Sequence, residues 1–163
     1  METNALLQQK GRDSMTSKEY LHKVWMAPIR LKELEREEQD IKEDILHLSA
    51  TDYSVPRVSG GGCGRDTSDK IVRYMDARDK VTTEWDYWIN LRIQCREIIM
   101  GISCGENTEV FQTVLKYRYL GHMQWEEIAV RMGYSYRRVT QIHGKALLAF
   151  EKSFERFPII SHG

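Results

Sequence analysis

Apolar residues recur at helical spacing in the first part of the chain. Ala27, Leu31, Leu34, Glu38, Ile41, Ile45 and Leu48 alternate steps of four and three, an a/d seam with one polar interruption at Glu38. The positions between them are almost all charged, as in Glu33, Glu35, Arg36 and Glu37. Pro28 suits the first turn of this helix, because its missing N–H costs nothing there. The stripe reads either as the thin apolar face of a solvated helix or as one arm of a coiled coil. Both place the same residues inside, and so narrow a stripe calls for a partner helix.

That partner follows. Ile71, Tyr74, Arg78, Val81, Trp85, Trp88, Arg92, Cys95 and Ile99 again step by three and four, predicting a second helix over roughly 69–102. Asp66, Thr67 and Ser68 are its candidate N-caps. Residues 49–68 break the pattern, and Ser59-Gly60-Gly61-Gly62-Cys63-Gly64 reads as a flexible connector. A phosphate-binding loop would need a preceding strand and a following Gly-Lys-Ser/Thr, and neither is present. The expectation is an antiparallel helical hairpin resembling a coiled coil. Trp85 and Trp88 then belong to the core rather than to a ligand site. Cys95, on the same stripe, becomes a buried, unreactive thiol. Gly101, Gly105 and Asn107 punctuate the end of the hairpin and mark a domain boundary.

Beyond it the helices shorten. Thr108 can cap a helix carrying Val110, Phe111, Val114, Leu115 and Leu120, which Gly121 ends. A two-turn helix follows over Trp125 to Met132, then the turn Gly133-Tyr134-Ser135, then a last helix from Tyr136 to about Phe154. Gly133 permits a left-handed backbone at the tight helix end, and Ser135 is the next N-cap. Ala129 is the small residue that two closely crossing helices require, with Ile128, Val139 and Ile142 closing the angle. The first turns of the last helix are then free to enter a DNA major groove, presenting Tyr136, Arg137, Arg138, Thr140, Gln141 and Lys145 to base edges and phosphates.

Charge supports this reading by its distribution rather than its sum. The 163-residue chain has 24 basic and 24 acidic residues, a net charge of zero. Yet residues 131–152 hold five Lys/Arg against one Glu, and residues 16–49 hold six against eight Asp/Glu. Three scattered cysteines suggest neither a disulfide framework nor a zinc site. The five histidines show no ligand spacing, and Glu126 and Glu127 point in different directions from adjacent helix positions. No enzyme, metal or cofactor is therefore expected. No apolar run is long enough to span a membrane, and no secretory signal is evident.

Several runs resemble a known family. Tyr117-Arg118-Tyr119-Leu120-Gly121, Trp125-Glu126-Glu127-Ile128-Ala129, Met132-Gly133-Tyr134-Ser135 and Arg138-Val139-Thr140-Gln141-Ile142-His143-Gly144-Lys145-Ala146-Leu147 look like region 4 of sigma-70-type RNA polymerase sigma factors. That region recognises the promoter −35 element and touches the polymerase. A charged helical hairpin followed by this module is similar to small phage- and prophage-encoded sigma-like regulators of late transcription. The resemblance implies that Tyr136, Arg137, Thr140 and Gln141 face DNA, with Arg138 basic beside them. Primary sigma factors tend to carry an acidic residue in place of Arg137 and an arginine in place of Thr140, so the sequence read should differ. Nothing resembles the promoter-melting regions of a full sigma factor.

The expected fold class is all-α. Residues 1–15 form an extension or expression remnant, and residues 16–106 the hairpin with its loop at 49–68. The sigma region 4-type helix-turn-helix domain occupies 107–157, and 158–163 form a tail. The expected function is transcription regulation in the cytoplasm of a bacterial host, through promoter DNA and RNA polymerase, with homo-oligomerisation through the hairpin also open. Two alternatives stand beside it: an oligomeric DNA-packaging protein of the small-terminase kind, and an adaptor that binds polymerase or sigma factor by protein contact alone.

Overall fold

The structure, a computed structural model, describes residues 15–51 and 63–157. The chain is all-α: α1 spans Ser17–Thr51, α2 Cys63–Met100, α3 Thr108–Leu115, α4 Trp125–Met132 and α5 Tyr136–Phe154. A 3-10 turn, Gly105–Asn107, precedes α3, and a π-helical turn, Lys116–Leu120, extends it. No described helix is long and apolar enough to cross a membrane.

The first helix starts eleven residues before the proline that the pattern puts at its start. Its N-terminus is closed by a reciprocal pair: the Thr16 N–H donates to Glu19 Oε2 at 2.6 Å, and the Glu19 N–H donates to Thr16 Oγ1 at 3.3 Å. Pro28 therefore lies inside the helix, where it removes one ladder hydrogen bond. The division into compact units falls at the same place. One unit comprises the chain up to Ala27 together with Ile89 onward, and the other is Pro28–Trp88. The compact units thus divide at 27/28 and 88/89. The reason is packing: the first turns of α1 and the end of α2 supply core to the C-terminal unit.

In that unit Tyr20 is fully buried, its ring 5.1 Å from Phe154 and 6.4 Å from Phe150. Its hydroxyl donates to the Leu91 carbonyl at 3.1 Å. Ser153 Oγ donates to the Ile98 carbonyl at 2.9 Å, and Gln112 Nε2 to the carbonyls of Met100 and Ile102. The segment after α2, read as a domain boundary, is therefore tied on both sides into one core with Leu91, Cys95, Ile98 and Ile99. Cys95 is buried as expected, and burial pushes its thiol up to about 12, far from a reactive thiolate.

In the unit Pro28–Trp88, α1 and α2 meet through a two-bonded ion pair. Arg30 Nε lies 2.7 Å from Glu84 Oε1 and Nη2 3.1 Å from Oε2, and Glu84 also accepts from Trp88 Nε1. Leu34 is fully buried and Val81 nearly so, while Leu31, Ile41 and Ile45 are only half-buried. The second stripe is less completely covered. Trp85 and Trp88 are half-buried, and Ile71 is 52 % exposed. The proposed caps Asp66, Thr67 and Ser68 lie inside α2, which begins at Cys63, and α1 reaches Thr51, so the connector is shorter than 49–68. The run Ser59 to Gly62, the first fourteen residues and the tail 158–163 fall outside the described residues.

This burial ranks two substitutions. Leu34→Ala should cost about 2–4 kcal/mol, whereas Ile41→Ala, already half-solvated, should cost about 1 kcal/mol. Urea unfolding of both variants checks the order, and equal losses would show that the seam is not packed as described.

Candidate nucleic-acid interface

The interface rests on α4, the turn and α5, each fixed by local chemistry. Helix α4 opens with a capping box: the Gln124 N–H donates to Glu127 Oε2 at 2.9 Å, and the Gln124 side chain answers the amide of Glu127. It closes at Gly133, whose φ of 67° and ψ of 29° are left-handed, a conformation costly for residues with a Cβ. The Tyr134 N–H then returns to the Ala129 carbonyl at 3.0 Å. Helix α5 starts on Ser135, whose hydroxyl accepts from the Arg138 N–H at 3.3 Å. Three residues therefore connect the two helices, with the left-handed Gly133 and the Ser135 cap where the sequence signals put them.

Ile128, Val139 and Ala146 are fully buried, and Ala129 and Ile142 nearly so, which fixes the rotation of α5 about its axis. The opposite face carries the candidate residues. Tyr136, Arg137, Arg138, Gln141 and Lys145 are all exposed. Arg137, Gln141 and Lys145 succeed one another at i, i+4 and i+8, one row about 12 Å long at 1.5 Å per residue. Among the described residues none of these three side chains has an ion-pair or hydrogen-bond partner. Thr140 differs: it is half-buried, and its hydroxyl donates back to the Arg137 carbonyl at 2.9 Å, which leaves it a methyl and acceptor lone pairs for any contact. Leu148 extends the outer row and is 63 % exposed.

Behind the row lies a layer of stacked rings and a guanidinium that the periodicity did not reveal. The Arg118 guanidinium sits between the indoles of Trp25 and Trp125, 4.1 Å and 4.4 Å from their centroids. The Trp125 ring meets His143 edge-on at 4.7 Å, and Tyr119 Oη lies 3.2 Å from His143 Nε2. On the other side His122 lies 4.7 Å from Trp25, with its φ of 53° in the left-handed region. Trp125 and His143 thus anchor the start of α4 against the middle of α5. A lone Arg118 or Trp25 gives no sequence signal for such a stack, since Trp25 lies 93 residues before Arg118 in the chain. Among the described residues no group of three or more His, Cys, Asp or Glu side chains is placed to hold a metal ion.

The stack has a pH consequence. Burial, and then the positive charge of Arg118, push the His143 imidazole down to about 4. His122 moves in the same direction, through burial and the charges of Arg92 and Arg118. Neutral His143 therefore stabilises the fold fully above its unfolded value of about 6.5, and that contribution is lost progressively as the pH falls towards about 4. Allowing for solvent screening at a site not fully enclosed, the loss between pH 7 and pH 4.5 should be about 2 kcal/mol. Urea unfolding at both pH values should show this loss in the wild type and a shallower one in His143→Gln. Identical slopes would remove His143 as the titrating group.

Compared with known protein families, characterised proteins and solved structures, the chain finds no match.

Proposed function

We propose that the chain is a DNA-binding transcription regulator of the phage or prophage type, acting in the cytoplasm of a bacterial host. It reads promoter DNA with α5 and contacts RNA polymerase. The observation that carries this reading is the outer row of α5. Two basic side chains and an amide stand exposed, and without partners among the described residues, on a helix whose N-terminus is capped and whose other face is locked into a core. Unpaired Arg and Lys beside Gln, at one-turn spacing on a rigid helix, match the hydrogen-bonding requirements of base edges flanked by phosphates. The resemblance of residues 117–147 to sigma region 4 supports the same reading.

Footprinting on a host or phage promoter library, with and without RNA polymerase, tests it. The expected result is protection upstream of the start site that polymerase strengthens. Protection of long tracts by ring-shaped oligomers, built through the long helices, would favour the packaging alternative instead. Polymerase binding without any DNA protection would favour the adaptor.

A further inference from the structure

A groove of about 420 Å³ opens in the C-terminal unit, apart from the outer row of α5. Lys18, His22 and Trp25, at i, i+4 and i+7, line it from one face of α1. Arg118 and Trp125 line it from the other side. Leu147 adds aliphatic surface, and Leu21 borders the groove but is almost fully buried.

We propose that this groove docks an acidic peptide segment of a partner protein, one that carries aliphatic or aromatic side chains between its carboxylates. Charge complementarity points to such a partner. Lys18 and Arg118 bring two positive charges to the lining, and among the described residues no acidic one lines the groove. Two neighbouring carboxylates are committed to helix ends: Glu19 accepts from the Thr16 N–H, and Glu127 from the Gln124 N–H. Arg118 has no carboxylate partner among the described residues. It gives one hydrogen bond, from Nη1 to the Met123 carbonyl at 3.1 Å, and lies 4.1 Å and 4.4 Å from the centroids of two indoles. A guanidinium held in place in this way, with N–H groups to spare, favours an incoming anionic group.

Size and lining decide the chemical class. The groove is far larger than one inorganic anion needs, and Leu21 and Leu147 offer nothing to a phosphate. A duplex backbone is too broad to enter a cleft of this volume. A peptide fits both properties, since its carboxylates reach Lys18, His22 and Arg118 while its apolar side chains cover Leu147 and the indole edges. The site is independent of the DNA reading. On α5, Leu147 lies about 120° around the helix from Gln141, so a peptide in the groove leaves the outer row free.

The test is selection of a random linear peptide library on the full chain, followed by titration of the strongest peptide using tryptophan fluorescence. The comparison protein is Lys18→Glu combined with His22→Glu. Both side chains are exposed and without hydrogen-bond or ion-pair partners among the described residues, so the fold should survive, as a thermal melt will verify. Selected sequences should be rich in Asp and Glu interleaved with Leu, Ile or Phe. The strongest should bind the double variant at least tenfold more weakly, and binding to random duplex DNA should stay within twofold. Sequences without acidic enrichment would overturn the proposal, as would equal binding to the double variant. Displacement of the peptide by millimolar inorganic phosphate or by duplex DNA would also overturn it, by showing a general anion site.

Discussion

Phe150→Ala is expected to destabilise the protein by about 3–5 kcal/mol, a larger loss than either Leu34→Ala or Ile41→Ala should produce. Phe150 is fully buried, and its ring lies 5.9 Å from that of Phe154 and 6.4 Å from that of Tyr20. The three rings join the first turns of α1 to the end of α5, and Tyr20 continues the connection to α2 through its bond to Leu91. Removing the Phe150 ring leaves a cavity that Tyr20 cannot fill without breaking that hydrogen bond. A domain stable by about 5–15 kcal/mol would be left close to its threshold. Leu148→Ala, two residues earlier but 63 % exposed, should change stability by no more than about 0.5 kcal/mol. Urea unfolding of the pair is the check. A small loss for Phe150→Ala would mean that the N-terminal turns of α1 are not part of this core.

The second expectation concerns the division between affinity and sequence reading along α5. Arg137 and Gln141 stand one turn apart in the N-terminal half of the helix, exposed and without partners among the described residues. Each can form two hydrogen bonds with a base edge: Arg with guanine, Gln with adenine. Arg137→Ala or Gln141→Ala should therefore lose about 1–3 kcal/mol on the specific site with little change on random DNA. Lys145 lies a further turn along, where the proposed docking would bring it nearer the phosphate backbone. Lys145→Ala should weaken all sequences alike and reduce the salt slope by about one unit, because one released counterion is lost. Val139 is the internal control: it is fully buried, so Val139→Ala should reduce stability before it alters sequence preference. Titrations at several salt concentrations separate these outcomes. The same uniform loss for Arg137→Ala and Lys145→Ala would mean that the helix lies along the backbone.

What could be read from the sequence followed from local chemistry. Gly133 and Ser135 mark the turn because one needs a left-handed backbone and the other supplies a capping hydroxyl, and both effects act within a few residues. The inward face of α5 was legible in part, since the helical spacing of Val139, Ile142, Ala146, Leu147 and Phe150 puts them on one face, of which Leu147 alone is only half-buried. Boundaries were less so. Pro28 looks like a helix start by local preference, but the Thr16–Glu19 cap and the burial of Tyr20, Leu21 and Val24 carry the helix through it. Thr108 shows the same limit: its hydroxyl accepts from the Cys104 N–H at 2.8 Å and so closes the 3-10 turn rather than α3. The Arg118 stack could not be read at all. It depends on Trp25, Arg118, Trp125 and His143 meeting across four segments, which no spacing rule encodes.

Sequence reading by α5 is tested most directly by selecting binding sites from a random duplex pool, in parallel with the wild type and with Gln141→Ala. The wild type should enrich a short consensus, and Gln141→Ala the same consensus relaxed at one or two adjacent positions. A pool that stays random for the wild type, or a consensus unchanged by Gln141→Ala and Arg137→Ala alike, would contradict the claim that α5 reads DNA sequence.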